Sequence, residues 1–302
     1  MQFKSLALFC DVAHFRSFSR AAEAHSVTQG AVSQSMNALE QQLGVKLLDR
    51  SKRPLCLTKA GATYHAGLKR ILGEYRALEQ EIRCLGTRLQ GLVRVATIYS
   101  VGASYMPEAL ATFAQLHPEV EVRIEPGKPA RVVEMATSGE ADFGLVSYPV
   151  SARGLKSTLW LSEPMRLIAS PGHLLATEQA VSLAQLHQLP MVGFDTELKV
   201  RREIDHYLTQ VGVRPRYQME FDNLDSIIRA IEAIRGIGIL PEAAVRREIA
   251  NGNLRIVACP ELLLRRPLGI IRRRSGSLSP AAIEFAEMLL GRTLDPASKR
   301  SG

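Results

Sequence analysis

Near the start of the chain, apolar residues recur every three or four positions. Leu6, Phe9, Val12, Ala13 and Phe15 predict a short amphipathic helix. Arg20-Ala21-Ala22-Glu23-Ala24 predicts a second helix, capped by Ser17 or Ser19, and its paired alanines are small enough to let another helix approach. The pattern breaks at His25-Ser26-Val27, and Thr28 then caps a third helix. Val32, Met36, Leu39 and Leu43 form its apolar stripe, Gln29, Ser33, Gln34 and Asn37 its polar face, and Gly44 its stop. Leu47-Leu48 and Leu55-Cys56-Leu57 flank Arg50-Ser51-Lys52-Arg53-Pro54, which predicts a small β-hairpin with a basic tip. From Thr58 a long helix carries Tyr64, Leu68, Ile71, Tyr75, Leu78, Ile82, Leu85 and Leu89 in alternating steps of four and three, a heptad seam. So narrow a stripe wants a partner, either the same helix of a second copy or the chain's own following domain.

After Gly91 the grammar changes. Strand-like runs at 92–98, 120–124 and 141–147 alternate with helical stretches near 104–116 and 131–138. The alternation resumes with strand-like 167–169, 191–194, 237–241 and 268–271 and helical 200–211, 224–234 and 280–290. This predicts a mostly parallel α/β sheet long enough for two α/β lobes. The whole is a multi-domain α and α/β protein, divided into 1–58, a linking and dimerisation helix at 59–90, and a second domain at 91–302. Ligands of such folds bind outside strand C-termini, at helix N-termini.

Charge changes the picture in one respect. The first 90 residues hold 13 Lys and Arg against 7 Asp and Glu, so six of the eight net positive charges sit there. A basic segment on a near-neutral partner fits a module that meets a polyanion. The four cysteines, Cys10, Cys56, Cys84 and Cys259, are scattered, with no metal-like spacing, which suits reduced thiols. No apolar run approaches the roughly 18 residues of a membrane span, and the start is too polar for a signal peptide. A cytoplasmic protein without membrane contact is expected.

Two helices separated by about three residues, the second with a polar front, read as a helix-turn-helix or as an ordinary helical hairpin. In the first reading Gln and Ser near the helix start reach base edges, since both donate and accept hydrogen bonds. The basic hairpin behind it reads as a wing, with Arg50, Lys52 and Arg53 toward phosphates or the minor groove, or as a solvated turn. Catalysis finds no support: histidines lack ligand spacing, Gly236-Ile237-Gly238 lacks a third glycine and runs into Pro241, and no GxSxG or phosphate-binding loop is present. A solute-binding sensor without a DNA role is the alternative function.

These residues resemble the LysR-type transcriptional regulators. The resemblance rests on 17–23 (Ser-Phe-Ser-Arg-Ala-Ala-Glu), Val27-Thr28-Gln29, Ala31-Val32-Ser33-Gln34, Leu39-Glu40, Leu43-Gly44-Val45, Leu47, Arg50 and Leu57-Thr58-Lys59-Ala60-Gly61. Weaker echoes are Met106-Pro107, Phe113, His117-Pro118, Gly139-Glu140-Ala141-Asp142 and 236–241. The resemblance implies a winged helix-turn-helix, a linker helix and a type 2 periplasmic-binding-protein-like domain of two α/β subdomains with an effector cleft between them. It implies that within 91–302 one lobe takes about 91–161 and 267–302 and the other about 162–266. It also implies homodimers, often homotetramers, on double-stranded promoter DNA, with RNA polymerase among the partners such a regulator meets.

Carried over by position, Thr28, Gln29, Gly30, Ser33 and Gln34 are expected to contact DNA, with Arg50, Lys52 and Arg53 in the wing. Gly30 stands where many members have Pro or Ser, and Gln34 where many have Arg, so base preference cannot be copied. An uncharged Gln34 also lowers the salt-sensitive part of the affinity. The effector positions are Ser100, Gly102, Ser104, Ser147, Lys199, Arg201 and Asn223. Serines beside a helix N-terminus suit a small anion such as a carboxylate, with Lys199 or Arg201 as charge partner, or they are mere capping serines and surface cations. Dimerisation falls to Leu68, Ile71, Tyr75, Leu78, Ile82 and Leu85. No resident cofactor or metal is expected beyond the effector.

Overall fold

The structure is a computed structural model and describes residues 3–51, 54–83, 89–149 and 154–294. Lys52, Arg53 and Leu85 lie outside the described residues, as do the side chains of Leu78 and Ile82. Two compact units are present, one of residues 1–85 with 138–140 and one of 86–137 with 141–302.

The first unit is built from α1 (Phe3–Phe15), α2 (Phe18–Ala24), α3 (Gln29–Leu43), a hairpin of β1 (Leu48–Asp49) and β2 (Cys56–Leu57), and α4 (Lys59–Arg83). Ser17 rather than Ser19 caps α2, its oxygen accepting the Arg20 N–H at 3.4 Å. Thr28 caps α3 through the Ala31 N–H at 3.2 Å, and Gly44 ends it in the left-handed region at φ 69°. Phe9, Val12, Ala21, Val32, Met36, Leu39 and Leu47 fill the core. Gly61 lets α4 close on the hairpin: a Cβ there would sit 1.9 Å from the Leu47 carbonyl oxygen. Leu68 is 4% exposed and belongs to this core, so it is not a free position of the seam, whereas Ile71 and Tyr75 stand exposed.

The second unit continues with β3 (Gly91–Ile98), α5 (Tyr99–Leu116), β4 (Val120–Gly127), α6 (Pro129–Ser138), β5 (Phe143–Ser147) and β6 (Leu155–Ala169). Then come β7 (Pro190–Phe194), α7 (Lys199–Gln210), β8 (Arg216–Phe221), α8 (Leu224–Ala233), β9 (Ile237–Pro241), α9 (Arg246–Ala250), β10 (Arg255–Val257), β11 (Arg265–Arg273) and α10 (Pro280–Leu290). The main sheet runs β10-β6-β11-β5-β3-β4, with β9 also on β6, and β7 pairs β8 separately. β3 is parallel to β4 and β5, while β6 and β11 are antiparallel neighbours.

Two apolar cores result. One surrounds Val93, Phe113, Phe143, Ile270 and Phe285; the other surrounds Met165, Ile168, Val192, Leu208, Ile231 and Leu240. They are the two lobes. β6 serves both: residues 155–164 pair β11 beside the first core, and 165–169 pair β9 and β10 within the second. The sequence pattern predicted a strand only at 167–169. The other twelve residues include Ser157, Thr158, Ser162 and Pro164, and their apolar alternation is broken by a bulge: Leu268 faces Leu161 while Gly269 faces Leu159. The expected helix near Ser104 instead starts at Tyr99, directly after β3.

Candidate DNA-reading face and effector site

On α3 the apolar stripe is buried and the opposite face is open. Thr28, Gly30, Ala31, Ser33, Gln34 and Asn37 line one shallow hollow on it. Polar expectation and geometry agree here, and Asn37, one turn farther along, joins the set. Gln29 is exposed but lies outside that lining, its Oε1 accepting the Ser19 hydroxyl at 3.4 Å. Gly30 is open to solvent, with only the Thr28 hydroxyl near an added Cβ, so a side chain here would project from the helix front.

Behind this face sits Glu40, 3% exposed. Its Oε1 accepts the Leu47 and Leu48 N–H groups at 2.8 and 3.0 Å, and its Oε2 takes Lys46 Nζ and Arg50 Nη2, both at 3.3 Å. Arg50 also lies over the Phe18 ring, 5.4 Å from its centroid. Arg50 was expected to contact DNA. It ties the start of α2, the end of α3 and the wing base together, with part of its guanidinium left at the surface.

At the interlobe junction the expected residues divide. Ser100 and Gly102 lie in the first turn of α5 and Ser104 in the second. Ile98, not a serine, is the N-cap, and the Ser100 hydroxyl instead accepts Arg266 Nη1 at 3.3 Å. Gly102 abuts Thr97, whose methyl would lie 2.9 Å from an added Cβ. Ser147 ends β5 opposite Leu268, and Lys199 opens α7 with its ammonium 5.4 Å from the centre of the Tyr148 ring.

Two of the expected effector residues already have partners within their own lobe. Arg201 is 6% exposed and engaged within its own lobe: its Nε meets Asp205 at 2.7 Å, its Nη1 meets Glu220 and the Phe194 carbonyl at 2.6 Å, and its plane stacks on Tyr217 at 3.5 Å. Its charge is thus compensated by two carboxylates, and its Nε and Nη1 donors are engaged. Asn223 caps α8, its Oδ1 accepting the Ser226 N–H at 2.9 Å while its amide donates to Asp222 at 3.1 Å.

What the sequence did not reveal is a buried polar cluster on the crossing strands. Glu163 of β6 and Arg266 of β11 are register partners, each 3% exposed, and form an ion pair. The Tyr105 hydroxyl donates to the other Glu163 oxygen at 2.8 Å. Tyr105 is pushed well above its ordinary range by burial, with Glu163 adding to the shift. Glu163 and Arg266 are 103 residues apart in the chain, so no local pattern pairs them.

Residues 3–62 match the family described as "Bacterial regulatory helix-turn-helix protein, lysR family", and 86–293 match "LysR substrate binding domain". A relative from Shigella flexneri, an uncharacterized HTH-type transcriptional regulator YfeR, is 32% identical over 279 residues, covering 92% of this chain and 90% of that protein. Full-length CbnR complexed with its target DNA has a similar fold, with TM-score 0.70 at 21% identity over 96% of this chain and 99% of that one. The regulatory domain of Synechocystis CcmR in complex with 2-PG aligns with TM-score 0.60 at 23% identity, over 68% of this chain and 99% of that one. A DNA-binding module of known kind, followed by an effector domain of known kind, leaves the solute-binding alternative without a place. The chain belongs to the LysR family of DNA-binding transcription regulators.

Proposed function

We propose that Thr28, Gln29, Gly30, Ser33, Gln34 and Asn37 read base edges in the major groove, and that a small anionic effector held at the interlobe junction tunes this binding. The observation that supports the first part is the open polar face of α3, on which five of these six residues line one hollow. A helix of this kind enters the major groove with its N-terminal residues nearest the bases. Lys52 and Arg53 contact phosphates, while Arg50 acts mainly by holding the wing. Ser100, Gly102, Ser104, Ser147 and Lys199 surround the effector. The protein acts as a cytoplasmic homodimer or homotetramer, without a catalytic step of its own. Self-association through Ile71, Tyr75, Leu78, Ile82 and Leu85 is supported by the heptad seam. No helix among the described residues is long and apolar enough to cross a membrane.

The test is a binding titration on promoter DNA from neighbouring genes, against scrambled DNA, at several salt concentrations. Gln34→Ala or Gln29→Ala is expected to reduce discrimination by about 1–3 kcal/mol. Unchanged discrimination in both variants would remove α3 from the reading role.

A further inference from the structure

At the interlobe junction, charge pairing leaves two groups over. The Arg266 charge is neutralised by Glu163, and its remaining contact goes to Ser100. Tyr148 follows β5 with φ 50°, an unfavourable backbone conformation for a large side chain, fixed by its N–H to the Pro267 carbonyl at 2.7 Å. Such strain collects at functional positions. Its ring packs against the core of the second lobe, so this one residue bridges the two lobes. Its hydroxyl is buried and has no hydrogen-bond partner among the described residues. Burial pushes the phenol up to about 12, Glu203 and Glu163 adding to the shift and Arg266 opposing it, so at neutral pH it is a proton donor lacking an acceptor. Lys199, stacked over the same ring, makes no ion pair among the described residues.

We propose that Tyr148 and Lys199 together recognise the effector, and that it is a small monoanionic carboxylate rather than a dianion. This rests on the reading that the effector lies between the lobes. One unpaired cation and one unpaired donor match one carboxylate, whose oxygens accept from both. A second negative charge finds the buried Arg266 already neutralised by Glu163. It would also approach Glu163 and Glu203, both within electrostatic range of the Tyr148 hydroxyl. A carboxylate there satisfies the buried hydroxyl and draws the lobe carrying Lys199 onto the lobe carrying Tyr148.

The experiment is calorimetric titration of the full chain with lactate, pyruvate, butyrate and benzoate, with their matched amides, and with succinate, phthalate and inorganic phosphate. At least one monocarboxylate is expected to bind, and its amide and the matched dicarboxylate to bind at least about tenfold more weakly. Tyr148→Phe and Lys199→Met should each weaken the monocarboxylate by about tenfold or more. Without ligand, Tyr148→Phe should melt no lower than the parent, because it removes a buried hydroxyl that has no hydrogen-bond partner among the described residues. A lower melting point would assign Tyr148 a structural role instead. Preference for dianions, or no response to any monocarboxylate at saturating concentration, overturns the ligand class. Binding that survives both variants but is lost in Ser100→Val overturns the pair while leaving the interlobe reading intact. Binding untouched by all three variants removes the effector from the junction altogether.

Discussion

At Glu40, burial alone would push the carboxyl up, yet the N–H groups of Leu48 and Leu47 and the Lys46 ammonium outweigh it and hold the group below its usual range. A carboxyl lowered in the folded state adds stability that is complete above its unfolded value of 4.5 and is lost as pH falls through the folded value. Acid unfolding of the N-terminal unit, followed by circular dichroism, should therefore steepen on the acid side of 4.5, and Glu40→Gln should flatten that limb. At neutral pH Glu40→Ala also strands the two buried N–H groups, at a cost of about 1–3 kcal/mol each. A denaturant titration with an unchanged midpoint would contradict this. Gly61→Ala puts a methyl against the Leu47 carbonyl and should cost at least the about 1–3 kcal/mol of an overpacked site. Both residues lie in motifs that were legible in the sequence. Their partners were not, because six to fourteen residues of hairpin and turn separate them.

Among the elements, α4 shows how a periodic stripe can hide two roles. The heptad pattern runs without a break from Tyr64, but Tyr64 and Leu68 pack on α1 and the N-terminal core, while Ile71 and Tyr75 are exposed. Leu68→Ala should therefore destabilise the N-terminal unit by about 2–5 kcal/mol, whereas Ile71→Glu should leave its melting unchanged and weaken self-association in sedimentation. The reverse outcome would move the boundary between the two roles. Caps were readable because Thr28, Thr58 and Gly44 act on groups within three residues. Start points were less so. Helix α5 begins without a side-chain cap, and no residue in Tyr99-Ser100-Val101 announces it. The burial of Arg201 was hidden for a related reason: in sequence a buried, stacked arginine looks like an exposed one, and Glu220 and Tyr217 arrive from β8, a separate element.

Over the whole regulatory unit, the two lobes meet through the β6–β11 ladder and through Lys128, which follows β4 and pairs at 2.8 Å with Asp222, which follows β8. That pair is largely exposed, so it contributes little to folding. It does join the two lobes. Lys128→Ala is expected to leave the melting temperature within experimental error and to raise the effector's dissociation rate, an effect that added salt should reproduce in the parent protein. Equal dissociation rates would show that the crossing strands alone set the closure. The two-lobe plan was legible from the alternation of strands and helices. The means of joining was not, because it depends on a strand that changes partners midway.

The bulge in that strand has an optical consequence. The residue left over between Leu159 and Leu161 is Trp160, the one tryptophan of the sequence, and its ring meets Tyr105 edge-on at 5.2 Å. Tyr105 in turn holds Glu163 on the strands that connect the lobes. The protein thus carries its single indole fluorophore, which can be excited selectively over the seven tyrosines, beside the strands that join the lobes, and its emission should report closure without any attached label.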